Sequence, residues 1–220
     1  MNILYSILNF VFEFASELDK KIISLKSRLL IASIKNCSSN VRFGKNVNIK
    51  GHQYIKIGAS TTIETGSFIN AWEQYESVKV IGDGEIKEKE FIVQKFEPEL
   101  TIGCNCHIGL YNNITCINKI LIGDNFLTGK NVTITDNSHG DSVLPHLFIK
   151  PTKRPLSSKG AVIIGKNVWI GDKATILPGV TIGDGVIIGA NTVVTKSIPS
   201  YSVVVGNPAR IINIKTTKND

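Results

Sequence analysis

Cysteine is scarce in this chain: four residues in 220, at positions 37, 104, 106 and 116. So sparse a set excludes a fold built on disulfides and fits a protein kept reduced, with the cytoplasm as the expected compartment. Cys104 and Cys106 form a C-x-C pair, but no second Cys or His pair stands at zinc-ligand spacing, so no metal is expected. Long hydrophobic runs are also missing. The N-terminal stretch MNILYSILNFVFEFASELDKK starts apolar, lacks an early basic region and carries Glu13 and Glu17. Neither a secretion signal nor a bilayer span is expected of it. Acids are absent from residues 142–163.

What remains is ample for a core. Hydrophobic residues make up 42% of the chain and charged residues 20%, which suits one large domain with an appendage. The formal net charge of +7 points to acidic partners: nucleic acid, an anionic membrane or a phosphorylated cofactor.

The appendage is residues 1–36. Leu4, Ile7, Leu8, Val11, Phe12, Ala15, Leu18, Ile22, Leu25 and Leu29 follow three-and-four spacing, which predicts an amphipathic helix over residues 3–34. Basic residues cluster in its second half, at Lys20, Lys21, Lys26, Arg28 and Lys35. Such a helix packs on its own domain or a sister subunit, or lies in a membrane interface.

From residue 37 to 214 the chain repeats. Ile164, Ile170, Ile176, Ile182, Ile188 and Val194 are six apart, with Gly after four of them. Four residues after each comes a small or β-branched residue: Val168, Ala174, Val180, Val186, Thr192 and Ile198. A period of six fits neither a helix nor a flat strand. It fits short strands separated by corners, three to a coil, with the aliphatic inward and the glycine allowing a tight bend. The same phase runs back through Ile122/Thr128/Ile134, Ile102/Ile108/Ile114, Ile57/Ile63/Ile69 and Cys37/Phe43/Ile49, making about six coils. Every departure from the period follows a third position, so all insertions leave the prism at one edge. Two are long, about 71–100 and 135–163. Long loops on a rigid scaffold are where function concentrates. Residues 215–220 read as a flexible tail.

The run GKNVWIGDKATILPGVTIGDGVIIGANTVVTKSIPSYSVVVGNPARI resembles the C-terminal half of hexapeptide-repeat acyltransferases. TDNSHGD followed by KRPLSSKGAVIIG is most similar to the O-acetyltransferases of surface polysaccharide synthesis, and also to galactoside and maltose acetyltransferases. The resemblance implies an all-β, left-handed parallel β-helix with an N-terminal helix. It further implies a homotrimer, acetyl-CoA as co-substrate and a sugar hydroxyl as acceptor, with no nucleic-acid partner. Membrane contact would come through the helix, at the inner face of the membrane.

His139 is the implied general base, since an imidazole titrating near neutrality can take a hydroxyl proton during attack. Asp136 or Asp141 is expected to orient it, and His146 is its competitor. For the cofactor the resemblance points to Trp169, Gly171, Ala174, Gly179, Ala190, Lys196 and Arg210, along C-terminal coils between subunits. For the acceptor it points loosely to Asn112 and Asn113, the former also fitting an internal hydrogen-bonding ladder. Trp72 and Tyr75 in the first insertion are candidates to stack on a sugar ring. Alternative acceptors are an antibiotic, an amino sugar nucleotide or serine, and a non-catalytic scaffold remains the alternative from another class.

Overall fold

The computed structural model describes residues 2–34, 36–81, 88–141 and 143–212. The tail expected at 215–220 lies outside them, as do residues 213 and 214.

A helix, Asn2–Ser33, leads into short strands that wind into a three-sided prism. Strands on each face are parallel to their neighbours above and below, apart from the last, Arg210–Ile212, which folds back antiparallel on Val203–Val205. Register confirms the period. Cys37, Ile57, Ile102, Ile122, Ile164 and Ile182 stack on the first face. Ile49, Ile69, Ile114, Ile134, Ile176 and Val194 stack on the third. Six complete coils result, and Ile198 and Val204 begin a seventh that the repeat count did not include. The aliphatic rows are buried, with Ile63, Ile108, Ile170 and Ile176 at 0% exposure. Each such side chain taken from water contributes about 1.5–3 kcal/mol.

The repeat glycines have a different reason from the one their spacing suggests. At most corners the left-handed bend comes three residues after the aliphatic, as at Asn167 (φ 58°), Lys173 (φ 58°) and Asn191 (φ 56°). The glycine directly after the aliphatic is needed because the next coil passes too close. A Cβ on Gly171 would lie 2.6 Å from Ala190 N, and one on Gly123 would lie 2.7 Å from Gly165 C. The aspartates that follow these glycines stitch coils together. Asp124, Asp172 and Asp184 accept the backbone N–H of Cys104, Lys130 and Lys166, respectively, at 2.9, 2.9 and 2.7 Å.

Both long insertions leave the edge between the third and first faces, as the spacing predicts. The first is no open loop but an antiparallel hairpin, Gln74–Ile81 with Glu88–Lys95. The alternation in QYESVKVI and EKEFIVQK carried that signal. The second contains a short helix, Leu144–Leu147, and a two-stranded ribbon.

Candidate functional site

The site forms where the two insertions meet. Ser138–His139 pairs antiparallel with Leu156–Ser157, placing His139 opposite Leu156. Gly140 N–H donates to Pro155 O at 2.7 Å and closes the ribbon. The polar, proline-broken stretch around His139 therefore holds the imidazole on a defined strand.

The hairpin folds over this ribbon. Gln94 accepts the Leu156 N–H at 2.8 Å and donates to Leu156 O at 3.1 Å. Tyr75 sets its hydroxyl 2.7 Å from Thr152 O and 3.3 Å from His139 Nδ1. A carbonyl only accepts, so the phenol proton goes to Thr152, and the phenol oxygen is left to accept from His139 Nδ1. The neutral ring then carries its hydrogen on Nδ1 and an open lone pair on Nε2, the arrangement a general base requires. The two rings meet edge-on, with centroids 5.5 Å apart. His146 is engaged differently: its Nδ1 accepts the Asp141 N–H at 2.9 Å, which orders the insertion.

A groove of about 390 Å³ opens beside His139 on the outer side of the third face. Trp72, Tyr75 and Asn113, all expected from sequence, line it together with His139. Lys50 Nζ lies 5.5 Å from the Trp72 ring centroid and supports that ring from one side. The sequence reading missed Thr115, Thr133, Thr135, Asn137, Ser138 and Leu156, which complete the lining. The available signal was positional. Residues on either side of the inward Ile114 and Ile134 must face outward, on coils next to the insertions.

Three expected residues are elsewhere. Asp136 does not orient His139. It is fully buried, and its carboxylate accepts the N–H groups of Ile117, Asn118 and Lys119 at 2.9, 2.8 and 2.8 Å, and Asn137 Nδ2 at 3.0 Å. It holds the two-residue-longer corner after Cys116. Burial, and then the Asp136 charge, push the Cys116 thiol far above the ordinary thiol range. Asn112 is 1% exposed and donates inside the prism to Thr128 Oγ1 and to Gly109 O and Gly129 O. It satisfies the only polar residue in the inward row of the second face and cannot touch an acceptor. Ala174 is 0% exposed, with its methyl in the core.

The remaining cofactor candidates are spread over the surface of one chain. Trp169 is 49% exposed on the second face, in register between Leu127 and Ile187. In a three-sided prism that face is opposite the edge from which His139 emerges. Gly171 and the exposed Ala190 share the corner between second and third faces. Gly179 (φ 78°) sits where the second insertion rejoins the coils and donates to Gly160 O at 3.1 Å. Lys196 and Arg210 are exposed, and Arg210 donates to Ala209 O at 3.1 Å.

Residues 161–196 match the family model described as bacterial transferase hexapeptide (six repeats). The chain is 37% identical to galactoside O-acetyltransferase of Escherichia coli K12 in an alignment of 142 positions, which covers 58% of this chain and 69% of the relative. It is 42% identical over 112 residues to WbbJ of the same organism, whose name assigns it to O-acetyl transfer in lipopolysaccharide biosynthesis. That match takes in 49% of this chain and 57% of WbbJ, less than two thirds of the relative's length. Among solved structures, AntD, an N-acyltransferase from Bacillus cereus in complex with dTDP and 3-hydroxybutyryl-CoA, superposes with a TM-score of 0.61 at 22% identity. The superposition covers 83% of this chain and 84% of AntD, and at that identity it speaks for the fold.

Proposed function

Since the chain belongs to the hexapeptide-repeat acyltransferases and has their left-handed parallel β-helix, we propose that it transfers an acetyl group from acetyl-CoA to a hydroxyl of a sugar, in the assembly of a surface glycan. One observation carries the reading: His139, with Nε2 left as its accepting nitrogen, lines the same groove as an aromatic wall and a bank of hydroxyl and amide groups. Trp72 offers a flat apolar face to a sugar ring. Asn113, Thr115 and Thr133 offer donors and acceptors to its hydroxyls.

In the proposed reaction His139 Nε2 takes the acceptor's hydroxyl proton as the oxygen attacks the thioester carbonyl. The new ester bond forms as the carbon–sulfur bond breaks, and His139 returns the proton to the departing thiolate. Tyr75 accepts from Nδ1–H throughout, holding the tautomer and stabilising the charge that appears on the ring.

The donor side is proposed to come from another copy of the chain. Trp169 is opposite the His139 edge within one prism, so the two can share a site only if a neighbour's second face is brought to that edge. Cyclic packing of three prisms does this. Lys196 and Arg210, both exposed, are the proposed partners of the nucleotide phosphates.

Free-thiol release from acetyl-CoA, followed across simple sugars and sugar nucleotides, tests the reaction. His139→Ala is expected to lose about 10²- to 10⁴-fold of the rate. Full activity in that variant would remove His139 as the base. Co-assembly of His139→Ala chains with Trp169→Ala chains tests the shared site. Mixed assemblies are expected to regain activity that neither parent has, and no regain would mean each chain holds a complete site.

A further inference from the structure

The N-terminal helix is only half used by the chain that carries it. One side meets the first coil: Leu30 and Ile31 pack on the core, the Phe43 N–H donates to Ser27 Oγ at 3.3 Å, and Lys45 pairs with Asp19 at 2.8 Å. The side of the helix next to this contact is largely bare. Leu8, Val11, Leu18, Leu25 and Leu29 are between 49% and 62% exposed, and Ile22, which also borders the groove against the first coil, is 42% exposed.

The spacing of this bare side identifies its occupant. Leu8, Val11, Ala15, Leu18, Ile22, Leu25 and Leu29 step by three and four residues in strict alternation, with no interruption across three heptads. A straight helix drifts by about 20° per heptad against such a row. A helix lying on a flat surface would need a skipped step to keep its apolar side down. A row that never skips stays on one side only if the helix supercoils around others. Charge points the same way. The projecting first half carries no basic residue, and its charges are Glu13 and Glu17, which an anionic lipid surface would repel. The basic residues lie in the second half, beside the prism.

We propose that this seam packs against the same seam of other copies of the chain, forming a parallel three-helix coiled coil at one end of the assembly. Parallel orientation follows from cyclic symmetry, which sets equivalent ends of each copy side by side. Phe12 and Phe14, 77% and 64% exposed, flank the row and widen it beyond what two helices bury. The strand number rests on the trimer proposed above, whereas the seam does not depend on the reaction.

Cysteine cross-linking of the full chain tests the seam. Leu25 lies in the seam, whereas its neighbour Ser24 faces away, and an antiparallel pairing would set Leu25 far from its counterpart. Under mild oxidation Leu25→Cys is expected to convert most of the protein to inter-chain disulfides, while Ser24→Cys stays at the level of the native chain. The double variant Val11→Lys with Leu18→Lys is expected to raise the concentration for half-dissociation by about tenfold or more, one decade being about 1.4 kcal/mol. Equal cross-linking at both sites, or none at Leu25 with helix content intact by circular dichroism, overturns the proposal. So does flotation of the native chain with phosphatidylglycerol vesicles that the double variant abolishes. Cross-linking at Leu25 in a species of two chains by sedimentation keeps the seam and overturns the three-helix count, and the trimer with it.

Discussion

The Tyr75 hydroxyl stands 3.3 Å from His139 Nδ1, bridging 64 residues of chain and joining two insertions that leave the prism two coils apart. Because the phenol proton is directed to Thr152 O at 2.7 Å, the contact assigns the imidazole tautomer as well as its position.

Tyr75→Phe keeps the ring packing and removes the acceptor for Nδ1–H. A hydrogen bond to a group that becomes charged contributes about 1.5–3 kcal/mol, so kcat is expected to fall roughly 10- to 100-fold. The check is kcat together with its pH profile and the His139 tautomer by nitrogen NMR. Unchanged kcat and tautomer would show that the contact is packing only.

Asp136→Ala is expected to act on stability. It strands three backbone N–H groups at a buried corner and is expected to cost about 3 kcal/mol or more in urea unfolding. The pH profile of any remaining activity should keep its shape. A variant of native stability with a displaced profile would return Asp136 to the catalytic machinery.

Gly171→Ala is expected to lower the urea midpoint by an amount equivalent to about 1–3 kcal/mol, since its Cβ would lie 2.6 Å from Ala190 N. Backbone sits at that contact and no flexible side chain can yield. Native stability in this variant would mean the coils separate more easily than their stacking implies.

Acid is expected to weaken the coil stack. The Cys104 N–H, and then the Lys166 ammonium, hold the Asp124 carboxyl below its ordinary value, and Lys119 at 2.7 Å does the same for Glu99. A carboxyl depressed in the folded state stabilises above its unfolded value and loses that contribution as pH falls through the folded one. The thermal midpoint should therefore hold from neutrality to about pH 4 and fall below it. Asp124→Asn should lessen that fall, and an equally steep fall in the variant would remove Asp124 as a contributor.

Much of this was readable in the order of residues. A coil of three short strands repeats its environment every six residues, so inward aliphatics such as Ile164 and Ile170 recur whatever surrounds them. Counting that period located the edge of both insertions, and the TDNSHGD motif singled out His139. For two inward residues the repeat and the motif likeness disagreed: the period placed Asn112 and Ala174 inside the coils, the likeness assigned them to ligands, and the structure follows the period.

Inside the insertions the six-residue period stops, and the alternation of the hairpin strands shows that they are strands but not which part of the molecule they fold against. Sequence by itself determined the stacked coils and the shared edge, because both follow from the repeat, and a contiguous motif marked His139 as the candidate. Only the tertiary structure decided that Asp136 turns inward to bind the corner after Cys116, and that Tyr75 arrives from the hairpin to face His139. Those directions are set by contacts between segments far apart in the chain, whose geometry exists only once the coils have stacked.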